Sequence, residues 1–236
     1  MSKNLIEVRN LAKHFEISNS FFTGKKKILK AVDEVSFNIK AGESLGLVGQ
    51  SGCGKTTTAR SLCLLEPKTS GSVNFFNPEK NIMESIDAID EDGMRVFRRN
   101  MQMIFQDPYE SLNPRWTIKD IIKEPLDIHN IGSLGEREEA IVEILRTVGL
   151  TPPENYLQRY PHEISGGQRQ RVSIARTLIM KPKFVICDEP TSMLDVSIRI
   201  SIMDLMLNLA KELDVSYLYI CLLYTSPSPR DRTRSR

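Results

Sequence analysis

A glycine-rich loop constrains the fold of this chain more than any other sequence feature. It has a glycine, four variable residues and then Gly-Lys-Thr, in the stretch Gly49-Gln50-Ser51-Gly52-Cys53-Gly54-Lys55-Thr56-Thr57. A short apolar run at 44–48 precedes the loop and a helical pattern at 57–65 follows it, which predicts a strand-to-helix turn. Glycines let a backbone wrap closely around phosphates, and the helix directs N–H groups and its positive dipole end at them. The stretch therefore predicts a polyphosphate-binding loop.

Two side chains of this loop have specific expected roles. Lys55 would contact the β- and γ-phosphates of a nucleotide, and the hydroxyl of Thr56 would bind Mg²⁺, a hard cation that prefers oxygen ligands. The alternative is a glycine-rich turn that matches by chance. Such a match is rare at average composition because so many positions are fixed. We therefore expect a nucleotide site here.

The composition is that of an ordinary globular protein. Its 236 residues, 40% hydrophobic and 26% charged, suffice for one large α/β domain or two small ones. Residues 1–8 carry no signal-peptide pattern, and no apolar run approaches the ~18 residues that span a bilayer, which predicts a cytoplasmic protein. The cysteines lack paired C-x-x-C spacing, so we expect free thiols rather than a zinc site or disulfides; they are Cys53, Cys63, Cys187 and Cys221.

Strands are predicted on both sides of the loop, at 5–14, 31–39 and 72–76, whereas the polar residues 77–92 predict a loop. Phe15 directly follows the first strand, where its ring could stack on a purine, although a phenylalanine at such a position more often belongs to the core. The run Lys25-Lys26-Lys27 predicts a solvated turn rather than a nucleic-acid patch, because no wider basic face accompanies it.

Two later apolar runs, at 101–105 and 184–187, predict parallel strands that end in polar residues. Gln106 follows the first run, where it could reach Mg²⁺ or an attacking water. Asp188 and Glu189 follow the second. Asp188 would complete the Mg²⁺ shell, and Glu189 would be the general base that accepts a proton from a hydrolytic water. The alternative is an ordinary charged loop, since many strands end in one.

A second candidate anion site precedes a long helical pattern. Residues 117–149 are helical, with an apolar stripe of buried-core type at Ile141, Ile144, Leu145 and Val148. Ser165, Gly166 and Gly167 then precede a helix that ends near residue 180. The free N–H groups of a helix start can hold an anion, although a simple serine N-cap is the common alternative.

Taken in order, these motifs resemble an ATP-binding cassette (ABC) subunit, and Ile164-Ser165-Gly166-Gly167-Gln168 separates that family from other P-loop proteins. The further matching motifs are the loop at 49–57, Gln106, the strand before Asp188 and Glu189, and Ser192-Met193-Leu194-Asp195. More narrowly, residues 103–109, 111–115, 160–163 and 195–197 resemble the ATPases of bacterial oligopeptide and dipeptide importers. The resemblance covers about residues 5–220.

The resemblance implies an α/β P-loop NTPase fold of ABC type. It has a RecA-like parallel-sheet core, an antiparallel β region and an inserted helical subdomain at about 111–180 within a domain at 1–220. ATP and Mg²⁺ are the implied cofactors. Two subunits, identical or different, would pair head to tail so that Ser165, Gly166 and Gly167 of the partner subunit close each ATP site. Gln168 and Asp195 are assigned to the same site, and Phe15 becomes the adenine-stacking aromatic.

The implied function is ATP binding and hydrolysis that drives peptide import through a membrane permease. Residues 106–115 would contact the permease, which places the chain on the inner face of the cell membrane and links it indirectly to an extracytoplasmic peptide-binding protein. Two alternatives stay open, a soluble ABC-type ATPase acting on nucleic acid or the ribosome, and a nonhydrolytic nucleotide-binding regulator. The absence of a second cassette argues against the first, and Glu189 argues against the second. We expect no nucleic-acid partner.

The C-terminal part departs from the resemblance. An amphipathic helix is predicted after Asp195, with the stripe Ile198, Ile202, Leu205, Leu209 and Leu213, followed by a strand at 217–220. The family pattern then has a histidine that contacts the γ-phosphate, but this chain has Leu222. Residues 221–236 shift to Ser, Pro and Arg without periodicity, which predicts a non-native tail translated from adapter-like sequence, a natural basic tail being the alternative. We therefore expect an incomplete domain with impaired hydrolysis.

Overall fold

The computed structural model describes residues 3–18 and 26–222. In that part of the chain, no helix has the length and apolar character needed to cross a membrane. The elements in chain order are β1 (Asn4–Ser18), β2 (Lys26–Lys40), β3 (Ser44–Gly49), α1 (Lys55–Leu62), β4 (Ser70–Asn77), β5 (Ile82–Ser85), α2 (Glu91–Asn100), β6 (Met101–Ile104), α3 (Pro108–Ser111), α4 (Ile118–Ile128), α5 (Leu134–Thr147), α6 (Glu154–Leu157), a 3-10 helix (Pro161–Glu163), α7 (Gly166–Leu178), β7 (Phe184–Asp188), α8 (Val196–Glu212) and β8 (Ser216–Leu222).

A parallel sheet with the strand order β3-β8-β7-β6 forms the centre of the fold. Its strands are joined through helices, as parallel pairing requires. The carboxyl ends of all four strands therefore lie at one edge of the sheet, which is where α/β proteins bind ligands. Strand β8 continues to Leu222 and so includes the first two residues of the predicted tail. The rest of that tail, residues 223–236, lies outside the described residues.

The antiparallel sheet has the order β2-β1-β4-β5, and its first three strands were predicted. The predicted loop at 77–92 is wrong, because β5 pairs with β4 and α2 begins at Glu91. Polar contacts hold this hairpin, including hydrogen bonds from Lys80 and Asn77 to the Glu84 carboxylate. The predicted turn at 25–27 is also wrong where it is described, because Lys26 and Lys27 begin β2.

Two hydrophobic clusters position these layers. One packs α1 and α2 between the two sheets, and in it the rings of Phe75 and Phe97 meet edge to face with centroids 5.0 Å apart. The other packs helices α4, α5, α7 and α8 against the opposite side of β7 and β8. The predicted stripe of α5 lies in this second cluster, as do Ile202 and Leu209 of α8. Residues 108–178 form the helical part of the fold.

Candidate nucleotide-binding site

The glycine-rich loop joins β3 to α1 as predicted, and its backbone requires glycine. Gly52 and Gly54 have φ angles of 78° and 93°, the left-handed region that favours glycine. A Cβ on Gly54 would lie 2.0 Å from the carbonyl oxygen of Ala31 in β2. Gly54 is also the N-cap of α1, where no side chain caps the helix. The N–H groups of the first helical turn are therefore left for a ligand, and an anion suits them.

Lys55 is buried in this loop, with only 6% of its surface exposed. Its Nζ donates hydrogen bonds to the carbonyl oxygens of Gly49, at 2.9 Å, and Gln50, at 2.7 Å. In the described part of the chain, no carboxylate forms an ion pair with it. A buried ammonium without a counter-charge is costly unless an anion is supplied. The loop therefore presents a positive charge together with free N–H groups.

The Thr56 hydroxyl and Asp188 form the second feature of the site. Thr56 Oγ1 donates to Asp188 Oδ1 at 3.1 Å, which joins the start of α1 to the carboxyl end of β7. Burial raises the pKa of Asp188, and the bond from Thr56 opposes that shift. These oxygen donors suit Mg²⁺. Because the described residues contain no cluster of three His, Cys, Asp or Glu that could hold a metal alone, further ligands would come from phosphate or water.

Gln106 and Glu189 meet across the ends of β6 and β7. Gln106 Nε2 donates to Glu189 Oε2 at 3.1 Å. Glu189 has a positive φ of 47°, a strained conformation for a residue with a side chain, and its N–H donates to the carbonyl oxygen of Ile220. Burial, followed by the nearby Asp188 carboxylate, raises the pKa of Glu189. A carboxylate with a raised pKa beside a phosphate loop fits a general base.

One cavity of about 400 Å³ contains most of these groups. Phe15 of β1 and Leu222 of β8 lie in its wall, so the ring predicted to stack on adenine and the leucine at the expected histidine position face the same space. Its lining is formed by Phe15, Leu29, Lys30, Ala31, Ser51, Gly52, Gly54, Lys55, Thr56, Thr57, Gln106, Glu189 and Leu222. An adjoining cavity of about 490 Å³ adds Asp188 and Arg60.

Ser165 and Asp195 are not brought to this cavity. Ser165 is the N-cap of α7 and forms a capping box with Gln168. Ser165 is nonetheless exposed, whereas Gly167 is buried against α8, where a Cβ would lie 2.8 Å from Ile198 Cγ2. Asp195 is exposed and occupies the N-cap position of α8, but its side chain forms no capping hydrogen bond. Both helix starts are available at the surface.

The cavity also contains residues that the sequence did not single out. Leu29, Lys30 and Ala31 of β2 contribute one wall, and Leu29 pairs directly with Phe15. No motif marks this segment, because its contribution depends on the pairing of β1 with β2 and on the contact of Ala31 with Gly54.

Comparison with known proteins identifies the family to which this chain belongs. A family model described as "ABC transporter" matches residues 32–192. The chain belongs to the ABC transporter family. The oligopeptide transport ATP-binding protein OppF of Bacillus subtilis is 48% identical over 93% of this chain and 68% of its own length. The related protein AppF of the same organism is 45% identical over 92% of this chain and 64% of its own length. The chain thus spans about two thirds of these curated relatives.

Solved structures support the fold. The dimeric post-hydrolysis state of the ATP-binding cassette MJ0796, bound to ADP and Pi, superposes with a TM-score of 0.75 at 29% identity, covering 92% of this chain and 87% of that one. The similarity confirms the predicted ABC-type α/β fold. It also agrees with the family resemblance drawn from the ordered motifs.

Proposed function

We propose that this chain binds ATP with Mg²⁺ and hydrolyses it as the ATPase subunit of a peptide importer. The observation that carries the proposal is the buried ammonium of Lys55, which lacks a carboxylate partner in the described chain and lies beside free helix-start N–H groups. A polyphosphate satisfies both. The substrate class comes from relatives named as oligopeptide and di/tripeptide transport ATP-binding proteins.

The phosphates of ATP would lie along residues 49–57, with Lys55 turning from the loop carbonyl oxygens to the terminal phosphates. Thr56, Asp188 and Gln106 would hold Mg²⁺, which would neutralise charge on the phosphate oxygens. Glu189 would accept a proton from the attacking water. The hydrogen bond that Glu189 accepts from Gln106 supports this role, because the amide keeps the carboxylate directed into the cavity. Phe15 in the cavity wall would stack on the adenine ring.

A second cassette would complete the site. The remaining predicted site residues lie at two helix starts outside the cavity; they are Ser165, Gly166, Gly167, Gln168 and Asp195. In the proposed dimer, the same residues of the partner subunit would contact the ATP bound in this cavity. The similar cassette MJ0796 forms a dimer in its solved structures, which supports this arrangement. A homodimer and a heterodimer satisfy it equally.

We further propose that residues 106–115 contact a membrane permease on the cytoplasmic side, with an extracytoplasmic peptide-binding protein linked only through that permease. An open cavity of about 340 Å³ beside this segment supports the proposal. Tyr109 and Trp116, two exposed aromatic residues of the kind enriched at protein interfaces, lie in its wall. We propose no nucleic-acid partner.

The nucleotide site is tested by Lys55→Ala. Loss of the ammonium should abolish measurable MgATP binding in an equilibrium titration, because no other described residue of the cavity lining supplies a buried positive charge to the terminal phosphates. Lys80→Ala is the control, since Lys80 is an exposed lysine that pairs with Glu84 and is not part of the cavity lining. Near-unchanged ATP affinity in Lys55→Ala would contradict the proposal.

A further inference from the structure

Lys13, in the middle of β1, is a buried lysine that no sequence motif contains. Only 8% of its surface is exposed. Its Nζ lies 2.7 Å from Glu66 Oε1 and donates to the carbonyl oxygen of Pro67, also at 2.7 Å. Both oxygens belong to the segment that follows α1, the helix that begins in the phosphate loop. A buried ammonium held by two oxygens has little freedom to move.

The same ammonium covers one face of the Phe15 ring. Both residues lie in β1, two positions apart, where the pairing of β1 with β2 shifts register between residues 13 and 14. Lys13 Nζ lies over the ring at 4.7 Å from its centroid, within the range of a cation–π contact. Phe15 also lies in the wall of the phosphate cavity, whereas Lys13 does not. The ring thus contacts, over one face, a group that is not part of the cavity lining.

We propose that Lys13 is a positioning residue for nucleobase binding. By holding one face of Phe15, it fixes the ring orientation and leaves the opposite face for the base. The inference rests on the proposed ATP site and names the residue that prepares its aromatic wall. A ring already fixed in the stacking orientation loses less freedom when the base binds, so affinity is higher than with a free ring.

The test compares two ligands that share phosphates but differ in the base, ATP and inorganic tripolyphosphate, each titrated against the chain with Mg²⁺. Lys13→Met keeps the length and apolar stem but removes the charge. It should weaken ATP binding about three- to tenfold and leave tripolyphosphate binding unchanged. Lys13→Arg, which keeps a cation, should retain most of the ATP affinity. Lys80→Met makes the same change at an exposed lysine paired with Glu84, and it should change the affinity for neither ligand.

Glu66→Gln is the second variant, for use if Lys13→Met unfolds the chain in a thermal melt. It removes the charge that anchors Lys13 and should give a smaller loss with the same dependence on the base. Phe15→Leu completes a double-mutant cycle. In that background Lys13→Met should have no further effect on ATP binding, because the ring that Lys13 holds is gone.

Equal weakening of ATP and tripolyphosphate by Lys13→Met would overturn the inference, since it would show a general distortion of the phosphate loop. An effect of Lys13→Met that persists in Phe15→Leu, or no effect of Phe15→Leu on ATP binding, would overturn it as well. The proposed ATP site fails separately, when Lys55→Ala leaves the binding of both ligands unchanged.

Discussion

Two adjacent carboxylates at the end of β7 have different surroundings, and these suggest different roles. Asp188 is 4% exposed and accepts a hydrogen bond from Thr56, so its oxygens face the start of α1. Glu189 is half-buried, has a positive φ and accepts from Gln106. Burial raises the pKa of each group, and their proximity raises that of Glu189 further. The buried member suits a metal ligand, and the one that faces the cavity suits a base.

We expect Leu222 to limit the rate at which this chain hydrolyses ATP. It lies in the cavity wall with Lys55 and Glu189, but it cannot donate a hydrogen bond to a γ-phosphate. We predict that the chain hydrolyses ATP slowly and that Leu222→His raises turnover by roughly 10²-fold, the size of effect associated with one preorganised donor. Steady-state phosphate release measures this. Leu222→Phe, which adds a ring without a polar atom, is the control and should not raise turnover.

A parent chain that hydrolyses ATP as fast as Leu222→His would contradict the expected limitation. A rise in Leu222→Phe equal to that in Leu222→His would show that cavity shape, and not hydrogen bonding, is responsible.

Glu189→Gln tests the assigned base and is best measured in the Leu222→His background. The amide oxygen of glutamine can still accept the hydrogen bond from Gln106, so the local geometry should be kept. An amide cannot accept the proton of the attacking water, so we predict unchanged ATP affinity and at least a ~10²-fold loss of turnover. Single-turnover phosphate release separates the two effects. Hydrolysis at the background rate would mean that the base lies elsewhere.

At the scale of elements, the phosphate loop packs against β2 at the start of α1. Gly52 and Gly54 both have positive φ angles, but only Gly54 lies against neighbouring backbone. Gly52→Ala should cost about 1–2 kcal/mol from backbone strain alone, because nothing lies within 4 Å of the added Cβ. Gly54→Ala adds a clash with the Ala31 carbonyl and should cost about 3 kcal/mol or more.

Chemical denaturation of the two alanine variants measures this difference in the free energy of unfolding. Equal losses would mean that the loop moves away from β2 without cost. A larger loss for Gly52→Ala would contradict the described packing.

The elements that were predictable from the sequence have strong local patterns. The continuous apolar run 184–187 predicts β7 because a strand buried on both faces of a parallel sheet is apolar throughout. Strand β5 was missed because it is short and polar, and its contacts, such as Asn77 to Glu84, form only after the hairpin pairs. In α8 the predicted stripe packs against the core, but the buried Met206 was not part of it.

The contacts of the site follow from strand order, which one sequence does not give. Gln106 and Glu189 are 83 residues apart, and Thr56 and Asp188 are 132 apart. The motifs predicted that each pair belongs to one site. The side chains meet because β3 and β6 belong to the same parallel sheet as β7. The contact of Lys13 with Phe15 was unpredictable for the same reason. Lys13 is held by Glu66 and Pro67, which lie in the connection between α1 and β4 and meet β1 only in the folded chain.

At the scale of the whole molecule, the phosphate cavity and the Ser165 helix start are separate surfaces of one chain. The helix start is exposed at Ser165, whereas Gly167 is constrained by packing, since a Cβ there would lie 2.8 Å from Ile198 Cγ2. An N-cap alone does not require glycine at the first helical positions, because most residues fit there. Because the contact with Ile198 of this chain already accounts for Gly167, the proposed contact with a partner's phosphate rests on the exposed Ser165.

The last prediction tests that surface with Ser165→Arg and a matched control, both in the Glu189→Gln background that preserves ATP. Ser133 is also an exposed N-cap with a capping box, through Glu136, so Ser133→Arg removes an equivalent cap at α5, worth about 1 kcal/mol. If the partner's phosphate approaches Ser165, the bulky arginine should weaken ATP-dependent dimerisation at least about tenfold, whereas Ser133→Arg should not change it. Light scattering with and without ATP measures dimer formation, and an equilibrium titration should show unchanged ATP affinity of the monomer in both variants. Equal dimerisation of the two variants would remove Ser165 from the interface, because each loses the same cap and gains the same charge.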